Sequence, residues 1–156
     1  WTKKHGKSHH GYKLSINADK RYKLIRKIEM SDAAPHDSQH FDAVLDPANT
    51  SRAVYADKGY ASAERERALR EAGYRDRIQR KGVRNHPLPK RQEQRNDTLA
   101  KVRSRVEHVF AGIKQMGGKL IRTIGIGRAK FGMTLMAATY NLKRLVYLKE
   151  ARIAPF

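Results

Sequence analysis

Residues 99–116 read LAKVRSRVEHVFAGIKQM. Leu99, Val102, Val106, Val109, Phe110, Ile113 and Met116 recur at steps of three and four, which predicts one amphipathic helix with that face buried. Arg103, Glu107 and Lys114 form a second cluster, about 40° wide, at the edge of the apolar face. An acid held there by a packed helix, with one cation a turn before it and another two turns after, suits presentation to a metal or a phosphate. The simpler use is a rim ion pair between Arg103 and Glu107 at i, i+4, contributing a few tenths of a kcal/mol. Taken alone, the helix favours that simpler use, so the rest of the chain has to decide.

The 156 residues suit one domain with one core, and 39% hydrophobic content in periodic positions implies a folded chain despite a mean hydropathy of -0.79. Lys and Arg number 34 against 15 Asp and Glu, a net charge of +19 spread over the whole length. Such a charge implies a polyanionic partner, nucleic acid first and an anionic membrane surface second. No apolar run approaches the length of a membrane span and no signal peptide is visible, so a soluble intracellular protein is the default expectation. The chain has no cysteine, which excludes a disulfide framework and a thiolate metal site. It opens at Trp1 on a basic run, as a piece of something longer is expected to do.

Residues 1–11 read as a basic, glycine-punctuated loop. His5, His9 and His10 lack a carboxylate or thiolate at ligand spacing and sit among lysines, which favours phosphate contact or solvation over metal binding. Alternation through Leu14 and Ile16, and again from Tyr22 to Met30, predicts an antiparallel hairpin turned by Asp19, Lys20 and Arg21. Pro35 to Ser38 mark a helix start that Phe41, Val44 and Leu45 continue. Arg52 to Ala56 predict a strand that ends on Asp57 before Gly59, placing the carboxylate at a sheet's carboxyl edge unless Asp57 merely caps the turn. Ser62 caps a helix stopping at Gly73, a weak strand follows over residues 74–79, and residues 80–95 read as an exposed basic loop. A last helix is expected from about Arg128 to Lys149, with Phe131, Leu135, Met136, Leu142, Leu145, Val146 and Leu148 in its core face.

These elements predict an α/β architecture in which Asp57, on a strand end, and Glu107, on the helix over that sheet, share divalent metal ions. Phosphodiester chemistry uses such paired metals, and Arg103 and Lys114 would hold the backbone beside them. The chain then resembles the catalytic core of bacterial insertion-sequence transposases of the DDE class, insertion sequence 5 group. The resemblance rests on HGKSHHGYKLSI, the PHDS helix start, YADKGY, RSRVEHVFAGIK and AATYNLKRL, in that order. It implies a ribonuclease H-like mixed sheet flanked by helices, with residues 1–150 as the core and 151–156 as a tail. It implies Asp57 and Glu107 as the second and third catalytic, metal-holding carboxylates, with Mg2+ or Mn2+ as cofactor. It also implies transposon-end and target DNA as partners, and a homo-oligomer on that DNA.

The family's Tyr-x2-Arg-x3-Glu-x6-Lys signature falls on Arg103, Glu107 and Lys114, with Ala100 at the tyrosine position. Lys58 is a further expected DNA contact. The family's first catalytic Asp and first strand would precede Trp1, since Asp19 reads as a turn residue. An inactive remnant that binds DNA by charge, and a nuclease that cuts without strand transfer, are the alternatives.

Overall fold

A computed structural model of the chain describes residues 2–4, 7–9, 11–32, 40–83, 85–118 and 121–153. The described residues are mixed α and β, with three two-stranded sheets rather than one continuous sheet. The chain divides into two compact units, residues 1–46 with 106–156, and residues 47–105.

In the first unit, β1 (Thr2–Lys4) and β2 (Lys7–His9) pair antiparallel, where the sequence suggested only a loop. Glycine and lysine content hid these short strands. Next, β3 (Tyr12–Ala18) pairs antiparallel with β4 (Ile25–Asp32), bringing Leu14 opposite Met30 and Ile16 opposite Ile28. The turn runs to Leu24, longer than expected, so the second strand starts at Ile25 and not Tyr22. Asp19 closes it: its backbone N–H donates to Leu24 O at 2.8 Å, and its carboxylate accepts from the Tyr22 N–H. Lys23 takes a left-handed φ of 61° there. The expected helix start at Pro35–Ser38 lies outside the described residues; after it, Phe41 is buried beside a single 3-10 turn, Asp42–Val44.

The long helix α2 spans Lys90–Gln115 and the closing helix α3 spans Ile126–Glu150. Thus α2 starts nine residues before Leu99, inside the stretch read as a loop. Residues 90–98 are polar but are mostly good helix formers, and Pro87 and Pro89 stand just ahead of them, so hydrophobic periodicity could not detect those two and a half turns. Each of the three α-helices among the described residues ends in a Schellman motif with a left-handed residue: Gly73 after α1 (Ala63–Glu71), Gly117 after α2 and Arg152 after α3.

The first unit's core joins Ile25 and Met30 of β4, Val109 and Ile113 of α2, and Ala129, Met133 and Ala137 of α3. Asn141 fixes α3 to β4 by exchanging both hydrogen bonds with the Ile25 backbone, at 2.8 and 2.9 Å. A Cβ at Gly112 would stand 2.7 Å from the Tyr140 ring, so glycine permits the close approach of α2 and α3. Two groups expected in the core lie outside it. Phe110 is 39% exposed because it falls at the edge of the apolar face, beside Arg103 on the wheel and well away from Val109. Phe131, Leu135, Leu142 and Val146 are exposed because α3 carries a second apolar face, opposite the one packed on β4.

The second unit is a parallel β-α-β. Strand β5 (Ala53–Ala56) leads through α1 to β6 (Arg75–Ile78), with Ala53 opposite Arg75 and Ala56 opposite Ile78. Leu69 of α1, Ile78 of β6 and Leu99 of α2 are its buried apolar residues. Ser62 caps α1 as expected, its Oγ accepting from the Arg65 N–H at 3.1 Å.

Candidate functional site

Asp57 follows β5 directly, at the carboxyl end of a parallel strand, where open α/β sheets gather their ligands. Its backbone is extended, its C=O accepts from the Tyr60 N–H at 2.9 Å, and it leads into a 3-10 turn at Lys58–Tyr60. Its side chain makes no cap hydrogen bond, which removes the reading of Asp57 as a turn cap. The Arg65 guanidinium donates to Tyr60 O at 2.6 Å and so ties that turn to α1. The Asp57 carboxylate is half exposed and lies 3.9 Å from the Arg103 guanidinium of α2. The structure therefore brings together two of the expected site residues, Asp57 and Arg103, in a long ion pair that water can enter. Lys58 is exposed next to them.

Arg103 reaches Asp57 because α2 is clamped to the end of β6 two turns earlier. The Asn96 amide exchanges hydrogen bonds with the Arg80 backbone at 2.8 and 2.9 Å, in the manner of a neighbouring strand. Arg95 donates to Ile78 O at 3.0 Å and Gln79 donates to Asn96 O at 3.1 Å. The Arg80 guanidinium grips Glu66 of α1 through two bonds, 2.6 and 2.8 Å, with Asp76 at 3.7 Å. Sequence reasoning placed Arg80, Arg95 and Asn96 in a loop or outside the site. A basic stretch with little apolar content gives no periodic signal for such a clamp.

The Arg80 hydrogen bond holds the Glu66 carboxyl below its ordinary value of 4.5, against a smaller opposing effect of burial. A carboxylate with a lowered pKa contributes stability above its unfolded value, and that contribution is lost as pH falls through the folded one. The melting temperature of Glu66→Gln should therefore lie below that of the parent at pH 7, and the difference should shrink below about pH 4.5. Thermal melts between pH 7 and pH 3 check this; an undiminished difference at pH 3 would show that the pair contributes through packing alone.

Glu107 and Lys114 lie on the part of α2 that belongs to the first unit, and both are exposed. By the helical repeat Arg103, Glu107, Phe110 and Lys114 share one face of α2. An aromatic ring among charged side chains on that face was not expected from the sequence.

The family model described as the transposase DDE domain matches residues 1–142. The chain belongs to this family. It is also 36% identical over 146 residues to the transposase for insertion sequence element IS1106 of Neisseria meningitidis serogroup B, covering 93% of this chain and 48% of that protein. The transposase DDE domain described here thus spans about half the length of that curated relative. No solved structure matches it.

Transposases of the DDE family generally use a divalent metal. Among the described residues no three His, Asp or Glu side chains converge on one point. The donor chemistry of Asp57 nevertheless suits Mg2+ or Mn2+: a hard, water-accessible oxygen ligand not consumed by capping. Mg2+ is commonly held by one or two carboxylates together with waters and substrate phosphates. No helix among the described residues of this DDE domain is long and apolar enough to cross a membrane.

Proposed function

We propose that this chain, with residues 1–150 as its core, is the part of a DNA transposase that carries the second and third catalytic carboxylates, Asp57 and Glu107. The observation that carries the reading is Asp57 itself, an uncapped acid at the carboxyl end of a parallel strand with Arg103 at 3.9 Å, in a chain of the DDE family. The mixed α/β elements are compatible with a ribonuclease H-like sheet completed by a strand carrying a further Asp. Asp19 does not supply that acid, because the turn at Asp19–Leu24 consumes it.

Asp57 and Glu107 would hold Mg2+ or Mn2+, which when bound activates the attacking oxygen and stabilises the leaving one. Arg103, Lys114 and Lys58 bind backbone phosphates and fix the scissile phosphorus. In the first step a water oxygen bonds to phosphorus, the P–O3′ bond breaks, and the 3′ oxygen leaves as a hydroxyl at the transposon end. In the second, that hydroxyl attacks a target phosphodiester, the P–O bond to the target's own 3′ oxygen breaks, and the ends are joined. The net charge of +19 supplies affinity for DNA by counterion release. The protein works at the nucleoid, as a multimer holding two ends together.

The test is end joining: a protein of the relatives' length containing this chain, Mg2+, a labelled transposon-end duplex and an unlabelled target. Transfer of label into the target supports the proposal. Cleavage without transfer would reassign the chain to a nuclease, and salt-sensitive binding with neither reaction would reassign it to a DNA-binding remnant.

A further inference from the structure

The carboxyl end of β6 is sealed along both edges. Along one, the Gln79 N–H donates to Ala56 O at 3.2 Å, which carries the parallel ladder to the residue before Asp57. Along the other, α2 takes the place of a strand. Arg95 donates to Ile78 O at 3.0 Å, and the half-buried Asn96 amide accepts from the Arg80 N–H at 2.8 Å and donates to Arg80 O at 2.9 Å. Asn96 and Arg103 are seven residues apart on α2, within about 20° on the wheel and about 10 Å along the axis. A slip of α2 by one residue would carry Arg103 about 1.5 Å along the axis and about 100° around it, away from Asp57. The ion pair itself does not hold that register, because at 3.9 Å and with both side chains partly exposed it is too weak. We propose that Asn96 is a positioning residue for the reaction: by fixing α2 on β6 it sets the spacing of Arg103 from Asp57, and so the place of the scissile phosphate relative to the metal-holding carboxylate. All of these residues belong to the second unit.

The joint requires an amide. Arg80 presents a backbone donor and acceptor side by side, and Asn96 offers the complement of both. A carboxylate there would face the Arg80 C=O with no proton to give, and an apolar side chain would leave both backbone groups unpaired. The joint is also neutral, so the salt that tunes DNA binding does not loosen it. A displacement of about 1 Å among reacting groups slows chemistry by as much as about 100-fold. Affinity drawn from a net charge of +19 hardly depends on such a displacement. Asn96 therefore acts on turnover and not on DNA binding. That role rests on the reading of Asp57 and Arg103 under Proposed function; the effect of Asn96 on their spacing does not.

Two measurements test the proposal. In a protein of the relatives' length with Mg2+, Asn96→Ala should lower kcat for cleavage of a labelled end at least about tenfold, with the Kd for that DNA within about threefold of the parent. Asn96→Asp keeps the size of the side chain and the bond from the Arg80 N–H, and should lower kcat at least about threefold even if alanine unfolds the chain. Arg103→Ala with Asn96→Ala should cleave within about twofold of Arg103→Ala alone, because both changes remove one placement. A purely structural role predicts instead that the two losses multiply, and that result would overturn the proposal. The second measurement needs no activity. In 15N spectra of the 156-residue chain, the Arg103 guanidinium signal should move on Asp57→Asn, and the same change made in Asn96→Asp should leave it in place. An equal movement in both backgrounds would show that the spacing does not depend on Asn96 and would overturn the proposal whatever the reaction. A parent protein that does not cleave would remove the role in turnover along with the transposase reading, while the spectra still decide the effect on spacing.

Discussion

Asp57→Ala, in a protein of the relatives' length, is expected to lower strand cleavage at a transposon end by at least about 10³-fold, the scale on which loss of a group stabilising the transition state acts. DNA affinity should stay within about threefold of the parent, because the change removes a negative charge from a basic surface and no phosphate contact. The structure makes this separation clean. Asp57 caps nothing and is half exposed, so alanine leaves the 3-10 turn held by its backbone bond to Tyr60 and by Arg65 on Tyr60 O. Arg103 loses only a long ion pair. Cleavage of a labelled end and filter binding, measured on the same preparation, check both halves. Cleavage near the parental rate would remove Asp57 from the catalytic set. Parallel loss of cleavage and binding would instead make it a structural residue of the DNA surface.

What the sequence disclosed follows from what periodicity records. Alternation through Leu14 and Ile16 exposed the β3–β4 hairpin because those side chains pack on the core, and the continuous apolar run before Asp57 exposed β5, whose four residues are all half-buried. The same logic misplaced Phe110. It sits one residue from Val109 and three from Ile113, so spacing alone assigned it to their face, although the wheel puts it with Arg103 and Lys114. On α3 the error had a different cause. Ala129, Met133 and Ala137 are a narrow packed seam, and the bulkier residues drew the core assignment to the opposite side. The first two turns of α2 were hidden because clamping there is polar, through Asn96, Arg95 and the Arg80 backbone, and polar clamps carry no hydrophobic period. The Asp57–Arg103 contact is between residues 46 positions apart, and only the clamping of α2 on the end of β6 brings it about.

That disagreement over α2 gives the largest expected effect on stability. Val109 is fully buried, in contact with a core that contains Ile113, Met133 and Ala137. A carboxylate placed there finds no cation in that cluster, and an unpaired buried acid costs several kcal/mol even after it takes up a proton. Against a total stability of about 5–15 kcal/mol for an ordinary domain, Val109→Asp should unfold the first unit or lower its melting temperature by more than about 15 °C. Phe110→Asp, the adjacent substitution, puts the same charge on the face of Arg103 and Lys114. It should cost about 1 kcal/mol or less and shift melting by only a few degrees. Circular dichroism melts of the two variants of the 156-residue chain decide the matter. A large loss from both would return Phe110 to the buried face that the spacing of residues 99–116 suggests, and would mean that the charged edge of α2 is narrower than the structure has it.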